Sequence, residues 1–352
     1  MSEFVFRLNI FDPEAYDGRF NMNVNKTTDT TQTTGNDLSP EMKTYYEKRL
    51  IELAEPELIH DQFADKYPIP RGNGKTIEFR KFAPLAKALT PLTEGVTPEG
   101  KRMSVTAQTA TVAQYGDYVA LSDVLELTAL DPMVLQATRA ISTQAGKTLD
   151  TITREIINGG TNVLYAPAGS TAVTSRTNLT GESLITIDVI RNAVLMLKRQ
   201  NAPTFDGGYI AIIHPDVAMD VRRLPGWLDL IQYGAPERAY NGEIGKIEGV
   251  RFIENTEAKI WAKGSGAGAS GNTNTAVYST LFIGKGAYAT TEVTGGGLQH
   301  FVKQKGSAGT EDPLDQRSTV GWKAIKVSEI LIQQYLVRVE SSSTMQASAI
   351  VN

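Results

Sequence analysis

Residues Asp131–Asn158 read DPMVLQATRAISTQAGKTLDTITREIIN, and both ends of the stretch announce themselves. Asp131 suits an N-cap and Pro132 the first helical position, while Asn158-Gly159-Gly160 is a stop signal. Between them Val134, Ala137, Ile141, Ala145, Leu149, Ile152 and Ile156 recur at three- and four-residue steps, which predicts a helix with one continuous apolar face. At 1.5 Å per residue that helix runs about 40 Å, the width of a small domain. A rod of that length serves as a spine.

The chain before the spine has a different texture. Lys75–Phe82 (KTIEFRKF) and Ser104–Gln114 (SVTAQTATVAQ) alternate apolar and polar residues and are rich in β-branched side chains, so both read as strands of an extended hairpin. The linker between them is too long for a tight turn and is interrupted by Pro84, Pro91, Gly95, Pro98 and Gly100. It also holds Leu85, Leu89, Leu92 and Val96, which a two-stranded ribbon cannot bury by itself. A loop of that length is usually functional, and its apolar residues require cover from the body of the subunit or from another chain.

Composition narrows the classes. The 352 residues suffice for one large or two ordinary domains. Thirty-five Lys and Arg against 39 Asp and Glu give a net charge of −4, and no segment joins dense basic residues to aromatics, so a dedicated nucleic-acid groove is not expected. Cysteine is absent, which removes disulfides, thiolate catalysis and Cys-ligated zinc together. No apolar run reaches the roughly 20 residues of a membrane span, and Met1–Ile10 lacks the plan of a signal peptide, so a soluble protein made in a cytoplasm is expected.

Along the rest of the chain, Met1–Leu38 has no helical periodicity and reads as an extended arm that orders against a partner. Ser39-Pro40-Glu41 starts a helix, and a second short helix runs through Leu58, Ile59 and Phe63. After the spine the pattern is mixed α/β. Helix is expected over Ile187–Gln200, Pro215–Arg223 and Gly226–Tyr233, and strand over Tyr209–Ile213 and Val250–Glu254. Lys263–Thr275 is a glycine- and serine-rich surface loop. The remainder is β-rich, over Val277–Ile283, Leu298–Lys303 and Trp322–Glu340, with Ser341–Asn352 as a tail.

Motifs that carry chemistry are scarce. Gly72-Asn73-Gly74-Lys75-Thr76 imitates a phosphate loop, but Ile69 stands where its first glycine belongs and a strand, not a helix, follows; a strand-entry turn fits better. Gly264, Gly266 and Gly268 lack the strand-to-helix turn of a dinucleotide fingerprint. His60, His214 and His300 fall in no metal frame. His214-Pro215-Asp216 reads as a strand-to-helix turn in which Asp216 helps cap the helix, with catalysis by His214 the competing reading. Glu311, Asp312 and Asp315 share a loop, without EF-hand spacing, and fit a solvated or salt-bridging loop better than a calcium site. No catalytic, cofactor-binding or metal-ligating residue is singled out, and no cofactor is expected.

The order of arm, helix, long hairpin, spine helix, mixed lobe and return sheet resembles the capsid fold of tailed bacteriophages named after the phage Hong Kong ninety-seven. Three segments carry the resemblance: Gly242–Glu254 (GEIGKIEGVRFIE), after the His214-Pro215-Asp216 turn, Phe282–Val293 (FIGKGAYATTEV) and Gly306–Lys323 (GSAGTEDPLDQRSTVGWK). Together they are similar to the major capsid proteins of the N-four-like phage family over about Ser39–Glu340. The resemblance implies an α+β fold in which 1–38 is the N-terminal arm and 74–116 the extended loop. It implies a peripheral domain of 39–73 and 117–159, holding the spine helix 131–158, completed by a return sheet over 276–340. An axial domain of 160–275 gathers around symmetry axes, and 341–352 is the C-terminal tail.

The function so implied is a major capsid protein that assembles with itself as hexamers and pentamers into an icosahedral head enclosing double-stranded DNA. It is not an enzyme and meets no membrane. Its implied partners are other copies, a portal and a decoration protein, with packaged DNA contacted non-specifically. The 38 residues before the first helix are too few for a cleavable scaffolding segment, which points to a separate scaffolding protein. The virion capsid, assembled in the bacterial host cytoplasm, is the implied location. Some relatives join neighbouring subunits through a Lys–Asn bond, but nothing here identifies such a pair. Leu85, Leu89, Leu92 and Val96 are then the candidate inter-subunit contacts, and Gly95, Gly100 and Gly116 the candidate hinges between hexamer and pentamer surroundings. Two other readings remain, an encapsulin-like compartment shell of the same fold and an α/β enzyme centred on His214.

Overall fold

The computed structural model describes residues 59–72, 74–82, 85–92, 94–97, 100–128, 133–224, 246–261, 275–307 and 312–345. The expected arm, the helix after Ser39, the turns over 226–233 and nearly all of the glycine-rich loop lie outside these residues, as do the spine's cap residues Asp131 and Pro132. The spine itself forms over Met133–Asn158 (α2), after the short α1 of Asp123–Thr128. Its Ala137, Ile141, Ala145 and Leu149 pack on Leu121, Val320, Trp322 and Ala324 of a sheet. Ser142, Ala145 and Gly146 are small and buried, which lets helix and sheet approach closely. The hydroxyls of Thr138 and Ser142 donate to the carbonyls one turn earlier, at 2.8 and 2.7 Å, so burying them strands no polar group.

That sheet has five strands built around β13, Arg317–Ile330. One edge of β13 pairs antiparallel with β4 (Ala113–Ser122), from Arg317↔Ser122 to Lys326↔Ala113, and the opposite edge with β12 (Gln299–Lys303). The last four residues of β13, Val327–Ile330, pair with β11 (Tyr288–Thr291), on which β1 (Asp65–Lys66) lies parallel. Alternate burial along β13 turns Val320, Trp322 and Ala324 toward α2. Ahead of β1, where a short helix was expected through Phe63, the described residues 59–64 form hydrogen-bonded turns.

β2 (Thr76–Phe82) and β3 (Val105–Thr111) form a separate antiparallel ribbon, in register from Thr76↔Thr111 to Phe82↔Val105. The single strand expected over 104–114 is therefore two strands in different sheets. The break falls at Ala110 and Val112, the buried positions of an otherwise exposed stretch, where the chain leaves the ribbon for the body.

The second sheet has seven strands, ordered β5 (Val163–Tyr165), β14 (Leu336–Ser341), β10 (Val277–Ile283), β6 (Tyr209–Ile213), β8 (Val250–Glu254) and β7 (Lys246–Ile247), with β9 (Ile260–Trp261) also on β10. Every residue of β6 and β10 is buried, because both faces are covered. On one face α3 (Ile187–Arg199) and α4 (Pro215–Arg222) bring Val189, Ile190, Val194, Leu197, Val217 and Val221 onto Ala211, Ile213, Phe282, Val337 and Val339. On the other, Ile212, Leu281 and Ile283 meet Ile157 from the end of α2 and Tyr288 and Ile330 of the first sheet. Each such side chain contributes about 1.5–3 kcal/mol.

Two expectations change here. The stretch 276–340 is not one return sheet: β10 and β14 pair with each other and β10 with β6, whereas β11, β12 and β13 belong to the five-stranded sheet. A strand buried on both faces must lie in the interior of a covered sheet, and β10 finds that place between β6 and β14. Nor does the tail begin at Ser341, since Ser341, Ser342 and Ser343 are fully buried and Ser342 bridges to Leu184.

Where α2 passes from one sheet to the other the packing turns polar. Asp150 accepts from His60 N at 2.7 Å and pairs with His60 Nδ1 at 2.6 Å, with Asn255 Nδ2 3.4 Å away. Neighbouring Asp61 accepts from Thr153 Oγ1 at 2.6 Å and pairs with Lys326, whose Nζ also donates to Leu149 O at 2.9 Å. Glu340, fully buried, accepts from Arg176 Nε at 2.7 Å, Arg176 Nη2 at 2.6 Å and Arg338 Nε at 2.9 Å. The Arg176 guanidinium lies 3.6 Å over the Trp261 ring.

Candidate subunit-contact surface

The loop joining β2 to β3 leaves its apolar residues in the open. Leu85 is 57%, Leu89 82%, Leu92 77% and Val96 63% exposed, and Phe82, Met103 and Val105 extend the same surface. A ribbon has one face for each set of alternating side chains and no second layer to cover either. Its base is anchored: Gln108 Nε2 donates to Glu329 Oε1 at 2.5 Å, and Phe79 meets Tyr67 edge-on at 5.6 Å. Within the loop, Lys101 Nζ donates to Ala86 O at 3.2 Å.

The three candidate hinge glycines separate by environment. Gly95 adopts φ +77°, a region other residues enter with strain, and a Cβ at Gly95 or Gly100 would touch nothing within 4 Å. Gly116 differs from both, because it lies inside β4 opposite Lys323, and a Cβ there would meet Trp322 O at 2.6 Å. It serves the close approach of β4 and β13, and its ladder pairing opposes flexure.

A second exposed apolar area was not singled out from the sequence. At the tip of the five-stranded sheet Leu127 is 81% and Leu314 74% exposed, with Val124 and Leu125 beside Leu127 on α1. The tip is held by Asp123 N donating to Gln316 O at 2.9 Å and Ser318 Oγ donating to Glu126 Oε1 at 2.9 Å. The Lys305 ammonium, 2.8 Å from Glu126 Oε2, holds that carboxyl below the usual glutamate range. The signal in sequence was faint, since the short run Val124–Leu127 and the single Leu314 lie far apart in the chain, and each by itself is an ordinary surface feature.

The remaining candidates resolve into structure. Gly72 and Gly74 take φ of +88° and +85° in the turn entering β2, as a strand-entry turn requires. His214, rather than Asp216, caps α4: its Nδ1 accepts from Asp216 N at 3.2 Å, while Asp216 Oδ2 accepts from Tyr278 OH at 2.7 Å. Burial lowers the His214 pKa, with the Asp216 charge opposing, a direction that favours the unprotonated Nδ1 the cap requires. Asp312 accepts from Arg317 N at 2.8 Å, and among the described residues no group of three or more His, Asp or Glu is arranged to hold a metal ion. A cavity of about 440 Å³ lies at the C-terminal end of α3, lined by Thr161, Asn162, Met196, Arg199, Gln200, Gln333 and Gln334, and no histidine or carboxylate faces it. No helix among the described residues is long and apolar enough to cross a membrane.

Solved structures share this arrangement. The capsid of Ralstonia phage GP4 superposes with a TM-score of 0.61 at 12% identity, over 97% of this chain and 98% of that one. The capsid of cyanophage Pam1 gives 0.61 at 15% identity over 78% and 86%, and that of cyanophage P-SCSP1u 0.59 at 15% over 79% and 86%. No curated protein matches the chain. A family model described as phage capsid protein matches residues 106–330, well over half of the sequence and the stretch that holds β4, α2, both sheets' central strands and β13. The protein is a structural component of the virion and not an enzyme. The chain belongs to the phage capsid protein family, as a major capsid protein with the Hong Kong ninety-seven type of fold.

Proposed function

We propose that copies of this chain assemble as hexamers and pentamers around double-stranded DNA, and that the leucine loop of the β2–β3 ribbon reaches onto a neighbouring copy. The observation that carries this is the exposure of Leu85, Leu89, Leu92 and Val96, each more than half open to solvent on a ribbon that cannot cover them. Buried against a neighbour, each contributes about 1.5–3 kcal/mol. A shell needs many such modest contacts, because tethering to several neighbours multiplies weak affinities while single contacts still release to correct errors. Gly95 and Gly100 supply the adjustment between hexamer and pentamer surroundings.

On this reading the β2–β3 ribbon with its loop, residues 74–112, is the extended loop, short of 116 because 113–122 is β4 of the body; α2 with the five-stranded sheet is the peripheral body and the seven-stranded sheet with α3 and α4 the axial one. Assembly in the host cytoplasm with a separate scaffolding protein, a portal and a decoration protein completes it, as does membership of the N-four-like group. The expressed protein, alone and with a candidate scaffold, is expected to form closed shells in electron micrographs. Leu89→Asp with Leu92→Asp is expected to abolish them without unfolding the subunit. Undiminished particle yield from that variant would show that the loop is no assembly contact. Extraction of DNA from particles made during infection separates this reading from a compartment shell, which encloses protein cargo instead.

A further inference from the structure

β4 is a strand with one open side. Its ten residues pair with β13 along one edge, and among the described residues no strand pairs with the other. Alternate residues turn their main-chain N–H and C=O groups to that open edge. Such edges are ordinarily blunted by lysine, proline or a bulge. β4 (AQYGDYVALS) has neither lysine nor proline, and its register on β13 is unbroken from Ser122 to Ala113. Its two faces differ. Asp117 lies opposite Trp322 on the α2 side, where its carboxylate accepts from Gln144 Nε2 at 2.6 Å and from Tyr118 N at 2.8 Å and has no cationic partner among the described residues. Those two bonds hold the carboxyl below the usual aspartate range, so it carries its charge. On the other side Tyr118 and Phe301, both exposed, flank Gly321.

The first residues of the chain carry a matching pattern. Phe4–Ile10 (FVFRLNI) alternates, with Phe4, Phe6, Leu8 and Ile10 on one side, Val5, Arg7 and Asn9 on the other, and Arg7 as its single charge. We infer that in the unassembled subunit Phe4–Ile10 adds to the open edge of β4 in its own copy as an antiparallel strand, with Arg7 opposite Asp117 and Phe6 opposite Tyr118. In that register Phe4 meets Ala120 and Leu8 meets Gly116, and Phe6 lengthens the row of Phe301, Gly321 and Tyr118. A slip of one residue would turn the apolar residues toward Asp117 and Arg7 onto the aromatic side. The tether favours the same copy. The described chain begins at Ile59, and His60 is bonded to Asp150, six residues or about 9 Å along α2 from the Gln144 that holds Asp117. The 48 residues between Ile10 and Ile59 span about 40 Å as a flexible chain, enough to reach β4. A tether of that kind keeps the segment at about millimolar local concentration, above the micromolar level of free subunits. Occupied from within, the edge is closed to strands of other copies, which guards the free subunit against edge-to-edge aggregation.

The chain has no cysteine, so paired replacements report the register directly. Val5→Cys with Val119→Cys, and separately Phe4→Cys with Ala120→Cys, place thiols at adjacent rungs, one of which is a non-hydrogen-bonded pair whose side chains come close. The full chain carrying either pair is oxidised at low micromolar concentration without scaffold and separated under denaturing, non-reducing conditions. At least one pair is expected to give a monomer of raised mobility that reduction abolishes, with the disulfide-linked peptide recovered after digestion. Dimers whose share grows with concentration mean that the edge takes the segment of a second copy, and monomers without a cross-link in either pair mean that it takes neither copy's; each overturns the inference. Hydrogen exchange gives a second readout that needs no thiol. Deleting residues 2–10 is expected to speed exchange of β4 amides about tenfold while leaving β6 and β10 unchanged. Arg7→Glu is expected to speed it in the same direction, and Asp117→Arg in the same chain to restore protection. Equal exchange with and without residues 2–10, or no restoration, overturns the pairing. Neither readout involves shell formation, so their failure leaves the coat reading in place.

Discussion

Replacing Glu340 by Ala probes whether the buried ion cluster holds the seven-stranded sheet together. Glu340 is fully buried and takes three charge-assisted hydrogen bonds at 2.6, 2.7 and 2.9 Å from Arg176 and Arg338. Removing the carboxylate leaves Arg338, itself 8% exposed, without its counter-charge and beside a second guanidinium. Breaking a buried pair from one side destabilises by about 3–5 kcal/mol. The result is expected as a loss of that size in urea unfolding of the unassembled subunit, followed by tryptophan fluorescence, because Arg176 lies over the Trp261 ring. Arg191 and Glu248 provide the contrast, since their 3.0 Å pair is 58% and 40% exposed and Glu248→Ala is expected to change stability by less than about 1 kcal/mol. A loss below about 1 kcal/mol for Glu340→Ala, equal to that control, would refute the argument that burial makes this cluster matter. A double-mutant cycle with Arg176→Ala then separates the pair's coupling from the cost of an orphaned Arg338.

Packing and charge elsewhere in the subunit give three other expected outcomes. Ile157→Ala opens a void where α2 meets Ile212, Leu281 and Tyr288, and is expected to destabilise by about 2–5 kcal/mol in the same assay. Gly116→Ala forces β4 off β13 and is expected to cost about 1–3 kcal/mol, seen as a lowered Tm, whereas Gly100→Ala, with open space around it, is expected to leave Tm within a degree or two. Burial lowers the pKa of both His214 and His300 from the ordinary 6.5, so the folded state favours their neutral rings. Stability from them is complete above that value and falls as pH drops through it, because the unfolded chain then binds more protons. Stability titrated from pH 7 downward is expected to decline less steeply in His214→Asn, which keeps a helix cap and removes one of the two rings.

The parts of the fold that showed in the sequence are those decided by local chemistry. The spine and α3 appeared because apolar residues recur at helical spacing between clear ends, β6 because a short apolar run sits between turns, and β8 because a strand-like run follows a glycine turn. What did not show was membership of sheets. β10 is buried on both faces, so its side chains carry no alternation to say which sheet receives it, and only its pairing with β6 and β14 decides. The change of sheet at Val112 was hidden for the same reason, since β3 and β4 carry one continuous strand-like pattern. The burial of Asp150, Lys326, Arg338 and Glu340 becomes intelligible only once their partners, distant in sequence, are beside them. The loop leucines were recognised because a two-stranded ribbon has nowhere to hide them. The tip was missed because its apolar residues come from two segments far apart in sequence.

The polar junction bears on where a subunit bends. Apolar layers slide with little penalty, but buried hydrogen-bonded polar pairs hold only over a narrow range of distance and angle. Asp61–Lys326 and His60–Asp150 tie the five-stranded sheet and the turns before it to α2, and Ser279 and Arg338 on the seven-stranded sheet bond to Asn158 at the end of α2, so any relative rotation breaks pairs that are buried. On the proposed reading, adjustment to hexamer and pentamer surroundings then falls on the loop, where Gly95 and Gly100 have open space and, among the described residues, the contacts to the body lie at the ribbon's base. In a map of the assembled shell that resolves several independent copies, α2 and the two sheets are expected to superpose between environments, with differences concentrated in 83–104. Copies that differ instead by a rotation of one sheet against the other, with Ser279–Asn158 opened in some, would place the hinge at the junction and refute this division of labour.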